Sequence, residues 1–172
     1  MVKLDIGCGK AKHEGAIGVD FCEEADVKHN LNDYPYPFED GMFEEVYFNN
    51  SIEHISNIPK LMEEIYRITK PNARLYINTP HFSSAGSFMD PTHKHHLSYF
   101  SFDYFDKTTN IGKRFGYYSK ADFKILKRRI TFHKIKRKLG LEWFANKYPT
   151  KYEAQFCWMF PAENLSFELI RQ

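Results

Sequence analysis

Short apolar blocks separated by polar loops recur along the chain, and their spacing predicts the elements. Val2 to Ile6 reads as a short buried strand that stops at Gly7-Cys8-Gly9, and Ala16 to Asp20 as a second. Val27 to Leu31 is the third, followed by a loop carrying Pro35 and Pro37, and Glu44 to Phe48 is the fourth. Ser56-Asn57-Ile58-Pro59 then combines a capping side chain with a proline in the first turn, the signature of a helix start. Leu61, Ile65 and Ile68, with Met62 beside them, form one apolar helical face, and Pro71 lies beyond its end. Arg74 to Asn78 alternates as a fifth strand. Phe123 to Phe132 is a basic strand, residues 134–147 a basic helix, and Leu165 to Ile170 a last strand. Residues 79–118 are aromatic and lack clear periodicity, as functional loops and lids in compact domains do.

Strands that first alternate with crossovers and then follow one another predict an α/β sandwich with a mostly parallel sheet. A chain of 172 residues suits one domain, residues 1–172, because two cores would each be of marginal size. One connection is unusual. Ala16 comes only nine positions after Gly7, whereas a parallel crossover with its helix takes about a dozen residues or more. The first crossover helix must be very short or replaced by a loop.

Composition narrows the setting. With 42% hydrophobic and 27% charged residues the chain is of ordinary globular type, which argues against disorder. Its apolar runs fall far short of a membrane span, and an acid followed by glycines interrupts the N-terminus where a signal peptide needs apolar residues. Cys8, Cys22 and Cys157 form neither a C-x-x-C pair nor an even disulfide set, so a cytoplasmic location is expected. The 16 Phe, 11 Tyr and 2 Trp exceed what a core of this size needs, and some should line a pocket or interface. Eight basic residues and no acid fall between Lys124 and Lys138, leaving the rest of the chain net acidic. This segment is either a solvated face or a contact for an anionic substrate, nucleic acid or membrane headgroup.

The chemistry begins at Leu4-Asp5-Ile6-Gly7-Cys8-Gly9. Two glycines leave the first strand, so backbone amides there can approach a ligand closely. The turn lacks a third glycine at dinucleotide spacing and a Gly-Lys-Ser/Thr phosphate loop. Eleven residues after Gly9, Gly18-Val19-Asp20 ends the second strand on a carboxylate suited to ribose hydroxyls. These two motifs are followed in order by Tyr36-Pro37-Phe38-Glu39-Asp40-Gly41-Met42-Phe43, by Ile52-Glu53-His54 and by Thr69-Lys70-Pro71-Asn72-Ala73-Arg74-Leu75. Over roughly residues 1–105 the series resembles the class I S-adenosylmethionine-dependent methyltransferases, and within them the small type 11 proteins. The resemblance implies a Rossmann-like class I methyltransferase sandwich with an antiparallel C-terminal strand, a minimal N-terminus and a shortened first crossover. Residues 79–118 would be its insertion or lid.

Carried over by position, the resemblance implies that Asp5, Gly7 and Gly9 meet the methionine end of S-adenosylmethionine and that Asp20 binds the ribose. Asn30 and Leu31 would address the adenine, and Asn49 and Asn50 would lie beneath the sulfonium. The acceptor the resemblance implies would be an unidentified O- or N-nucleophile on a small molecule or a nucleic acid, and a homodimer or partner subunit would supply further contacts. A cofactor-binding or nucleic-acid-binding module without catalysis, and a histidine-cluster metal protein, are the rival readings.

Methyl transfer by direct displacement needs alignment and, for some acceptors, a base. His54, His81 and His93 follow the fourth and fifth strands and are the candidate catalytic groups, with His95, His96 and Asp90 nearby in the insertion. Glu53, His54 and His81 also resemble the metal-binding pattern of small-RNA 2′-O-methyltransferases and ubiquinone-pathway O-methyltransferases. Asn50 stands where that pattern has its first glutamate, which leaves a divalent metal and a cofactor-shaping role both open. The aromatic residues from Phe82 to Phe105 either form an acceptor pocket or pack the insertion onto the sheet.

Overall fold

Leu4 and Ile6, Val46 and Phe48, and Leu75 and Ile77 are buried, and strand alternation puts each pair on the same side of its strand. Their apolar face is what the chain folds around. The computed structural model describes all residues, Met1–Gln172. Its strands are β1 (Lys3–Ile6), β2 (Ala16–Asp20), β3 (Val27–Lys28), β4 (Phe43–Asn49), β5 (Thr69–Pro80), β6 (Phe123–Ile130) and β7 (Asn164–Arg171). They form one sheet in the order β3-β2-β1-β4-β5-β7-β6. The first five are parallel, and β7 runs antiparallel to both β5 and β6.

Helix α1 (Ile58–Ile68) starts as its sequence predicts. Asn57 accepts from the Lys60 N–H at 2.9 Å, Pro59 sits in the first turn, and Leu61, Met62, Ile65 and Ile68 are buried. Beside it, Arg67 clamps the loop before β4 by donating to the carbonyls of Phe38 (2.9 Å) and Tyr36 (3.2 Å) and to Glu64 and Asp40. The segment after β5 folds into α2 (Ala85–Met89), a 3₁₀ stretch over Ser101–Phe105 and α3 (Asn110–Phe115). Phe102 and Phe105 belong to the core, with Phe102 edge-on to Phe167 of β7 at 4.7 Å.

Three departures from the sequence pattern have local causes. β3 is only two residues long, because the chain turns at Asn30, whose Oδ1 accepts from the Asn32 N–H at 3.1 Å. The basic helix is broken into α4 (Lys134–Lys138) and α5 (Leu141–Lys147) by Gly140 at φ +77. No helix lies between β1 and β3, so the loop solution to the short crossover holds. The side of the sheet facing away from the core therefore carries polar and aromatic residues, among them Lys3, Glu45, Tyr47, Arg74, Tyr76 and Glu168. Lys3 pairs with Glu45 at 3.4 Å, and Glu168 takes both Arg74 and Lys127.

The cationic segment is divided as well. Arg128 turns to Asp103 and lies 4.3 Å from the Tyr99 ring centroid, while Arg129 pairs with Glu142 and Lys127 with Glu168. A groove of about 1290 Å³ between β6 and α5 collects Lys127, Arg129, Arg137 and Lys147 beside Trp143.

The insertion is anchored through backbone contact. A Cβ on the buried Gly112 in α3 would lie 1.9 Å from the carbonyl oxygen of Asp106, and backbone cannot swing aside as a side chain can. Gly112→Ala is expected to destabilise the protein by at least about 2 kcal/mol, read as a lowered urea midpoint with an unchanged slope.

Candidate active site

The turn after β1 is shaped by two glycines with different duties. Gly7, at φ +71, has no room for a side chain, since a Cβ would lie 2.4 Å from that of Ser51. Ser51 in turn donates to the Ile6 carbonyl at 2.6 Å, tying the end of β1 to the chain leaving β4. Gly9, at φ +49, faces open space instead, with nothing within 4 Å of a built Cβ. Its N–H donates to Asp20 Oδ2 at 2.8 Å, and the Phe21 N–H donates to Oδ1 at 2.6 Å. Asp20 thus braces the turn, and each carboxylate oxygen retains a further lone pair for an outside donor. Between the glycines, burial pushes the Cys8 thiol up to about 11, with the charges of Asp20 and Asp5 adding to the effect. Cys8 stays a neutral thiol at neutral pH.

Asp5 is buried at the carboxyl end of β1 and accepts from the His13 N–H at 2.7 Å. Burial, aided by the Asp20 charge, raises its carboxyl above the usual range despite the opposing effect of His13. The His13 ring stacks on Tyr47 at 3.8 Å, and Tyr47 stacks on Tyr76 at 5.1 Å. This ladder runs along a cavity of about 320 Å³ whose lining includes Asp5, Asn49 and Asn78. Tyr47 and Tyr76 are register partners on β4 and β5, so their stacking follows from strand pairing. Neither they nor His13 stood out in the sequence, since the ladder is apparent only once β4 and β5 are known to be neighbours.

Asn49 Oδ1 accepts from Asn78 Nδ2 at 3.3 Å, and Asn50, at φ +50, donates its N–H to the Asn78 carbonyl at 2.8 Å. Asn49 lines the cavity. Asn30 is exposed beyond β3 and engaged in its own turn. Leu31 lies beside Gly7, its Cδ1 3.6 Å from where a Cβ there would sit, and its carbonyl accepts from the Tyr36 hydroxyl at 2.9 Å.

The histidines separate into two groups. His54 and His93 meet edge to face, with ring centroids 4.6 Å apart, next to Glu53 on the turn after β4. Glu53 is 1% exposed; its Oε2 accepts from Thr79 at 3.0 Å, and its Oε1 has no partner. Burial raises its carboxyl above the usual range. His81, expected beside Glu53 and His54, is elsewhere. It is fully buried, its Nδ1 accepts from the Ser83 N–H at 3.0 Å, and its Nε2 faces Glu153 Oε1 at 3.1 Å. With both ring nitrogens engaged, His81 braces the insertion and is not a free base or ligand. The position expected of it beside Glu53 and His54 is filled by His93, from the insertion.

The insertion's aromatics pack it onto the sheet and also enclose a cavity. Phe102 and Phe105 fill the core and also, with Tyr104, Tyr118, His95 and His96, line a cavity of about 620 Å³ beside the start of α1. Phe88 is exposed and stacks on His96 at 4.1 Å.

Comparison with known proteins agrees with this architecture. Residues 4–77 match the family model described as a methyltransferase domain. No curated protein sequence matches the chain significantly. Among solved structures, a SAM-dependent methyltransferase from Archaeoglobus fulgidus aligns over 98% of this chain and 85% of its own, at 17% identity and TM-score 0.64. One from Mesorhizobium loti aligns over 99% and 90%, at 13% identity and TM-score 0.60. The [4+2]-cyclase SpnF aligns over 98% and 74%, at 14% identity and TM-score 0.58. The family match is confined to residues 4–77, and the chain as a whole shares the Rossmann-like α/β fold of these S-adenosylmethionine-dependent methyltransferase structures. No helix is long and apolar enough to cross a membrane.

Asp5 makes the site sensitive to pH. A carboxyl raised on folding adds stability that is fully present below its unfolded value and is lost as pH rises through the folded one. Asp5→Asn keeps an acceptor for His13 without the buried charge. At pH 7 and without ligand it is expected to melt higher than the native protein. The gain should vanish near pH 3.8, and a gain independent of pH would count against the assignment.

Proposed function

We propose that this protein binds S-adenosylmethionine at the strand ends and transfers its methyl group to an O- or N-nucleophile. The observation that carries the reading is that the open Gly9 turn braced by Asp20 and the cavity lined by Asp5 and Asn49 lie together at the carboxyl ends of β1, β2 and β4. The residues fit the cosubstrate. Space above Gly9 admits a ligand against the backbone, Asp20 has lone pairs left for ribose hydroxyls, and Asp5 offers a carboxylate to an ammonium.

When bound, S-adenosylmethionine supplies a methyl group activated by a positively charged sulfur. The chain's part is positional. Asp5 holds the amino-acid end, Asp20 holds the ribose, and Asn49, fixed by Asn78, presents a polar side chain toward the cavity. Pairing Asp5 with a cation also offsets the unfavourable burial of its charge. His54, on the turn after β4, lies at the same carboxyl edge of the sheet, where an acceptor would approach. A shared fold does not determine the reaction, as the cyclase among the structural neighbours illustrates, so the reading rests on these side chains.

A thermal-shift titration tests it. Both S-adenosylmethionine and S-adenosylhomocysteine are expected to raise the melting temperature by about 5–10 °C at a hundredfold excess over Kd. Asp20→Asn keeps one of the two acceptor oxygens that Gly9 and Phe21 use and should weaken both ligands about tenfold or more. Melting curves that neither ligand moves would exclude the proposed cosubstrate.

A further inference from the structure

Beyond the cosubstrate pocket, the turn after β4 holds a group of side chains with unused ligand atoms. Glu53 Oε1 is buried without a partner, His93 Nε2 lies 3.9 Å from it, and Asp90 Oδ2 lies 4.0 Å from the same Nε2. Ligand atoms of Glu53, His54 and His93 all fall within 4.8 Å of one another. The 3.9 and 4.0 Å separations are too long for hydrogen bonds but within the limit of about 4.4 Å for two atoms that each sit about 2.2 Å from one shared ion, and a small side-chain movement brings the rest of the group inside it.

Neighbouring groups fix both imidazole tautomers. His93 Nδ1 is 3.0 Å from the Ser87 carbonyl, which can only accept, so Nδ1 carries the proton and Nε2 presents its lone pair toward Glu53. His54 Nδ1 is 3.0 Å from Thr92 Oγ1, and that hydroxyl gives its own proton to Asp90 Oδ1 at 2.6 Å. His54 therefore donates through Nδ1 and also keeps Nε2 free. Oriented Nδ1–H donors of this kind are the usual second layer around metal-binding histidines. The backbone is held too, since the N–H groups of Lys94 (2.8 Å) and His95 (3.2 Å) both donate to the Glu53 carbonyl.

We infer that Glu53, His54 and His93, with Asp90 completing the set, bind one divalent transition-metal ion. Two imidazoles with carboxylates suit zinc, manganese or iron, whereas magnesium and calcium prefer oxygen alone. The ion joins the insertion to the turn after β4. If the methyl-transfer reading holds, it also offers a coordination position to an acceptor oxygen; ion binding itself does not depend on that reading.

The test uses full-length protein free of any polyhistidine tag, stripped with chelator and titrated calorimetrically with zinc, manganese or magnesium chloride, without S-adenosylmethionine. One zinc or manganese ion per chain is expected, with affinity reduced tenfold or more in Glu53→Gln, His54→Ala and His93→Ala and unchanged in His133→Ala. Circular dichroism checks each fold, and the half-exposed His54 supplies a variant that leaves the core intact. Zinc should raise the melting temperature of the native protein but not of the three ligand variants. Substoichiometric binding, binding of magnesium alone, or zinc affinity unchanged in folded His54→Ala and His93→Ala would overturn the site and leave an adventitious ion only.

Discussion

The contact of Ser51 with the end of β1 is the constraint on which the rest of the site depends. Ser51 occupies the space of a side chain at Gly7 and donates to the Ile6 carbonyl, so the turns leaving β1 and β4 are locked in one arrangement. On one side of this lock the Gly9 turn opens over Asp20; on the other, the chain runs directly into Glu53 and His54. A positive φ at Gly7 and a buried hydroxyl at Ser51 thus set the spacing between the glycine turn and the Glu53–His93 group. Neither residue needs to touch a ligand to do so.

The second organising fact is that helices cover only one side of the N-terminal half of the sheet. Parallel strands are ordinarily covered on both sides, and here β1 and β2 are joined by a loop. The exposed side is made compatible with water by ion pairs such as Lys3–Glu45 and Arg74–Glu168 and by the stacked His13, Tyr47 and Tyr76 rings. Such exposed ion pairs add little stability, about 0–1 kcal/mol each, so the side packed by α1 and the insertion bears most of the folding free energy.

Strand positions were legible because alternation and terminating residues act locally. Ala16–Asp20 has the bounds that its sequence predicts, and Asn57 and Pro59 mark the start of α1. The shortened crossover followed from counting residues. What the sequence could not show depends on long-range placement. His81 and His93 look alike as histidines after the fifth strand, and only packing against Glu153, 72 positions away, separates a bracing ring from one with a free nitrogen. Arg128 likewise looked like one cation among eight, until pairing with Asp103 removed it from the exposed set. Gly140, within a basic run of good helix formers, broke a helix that periodicity alone would have continued.

The one-sided sheet divides labour along each strand. In β4 and β5, Val46, Phe48, Leu75 and Ile77 are buried in the core, while Tyr47, Asn49, Tyr76 and Asn78 alternate with them along the cavity, whose inner end Phe48 and Ile77 also meet. Truncating Val46 or Leu75 costs packing in the core, whereas replacing Tyr47 or Tyr76 changes the shape of the cavity. The wall of the cavity can therefore be reshaped at alternate positions of a strand while the intervening residues continue to hold the sheet together.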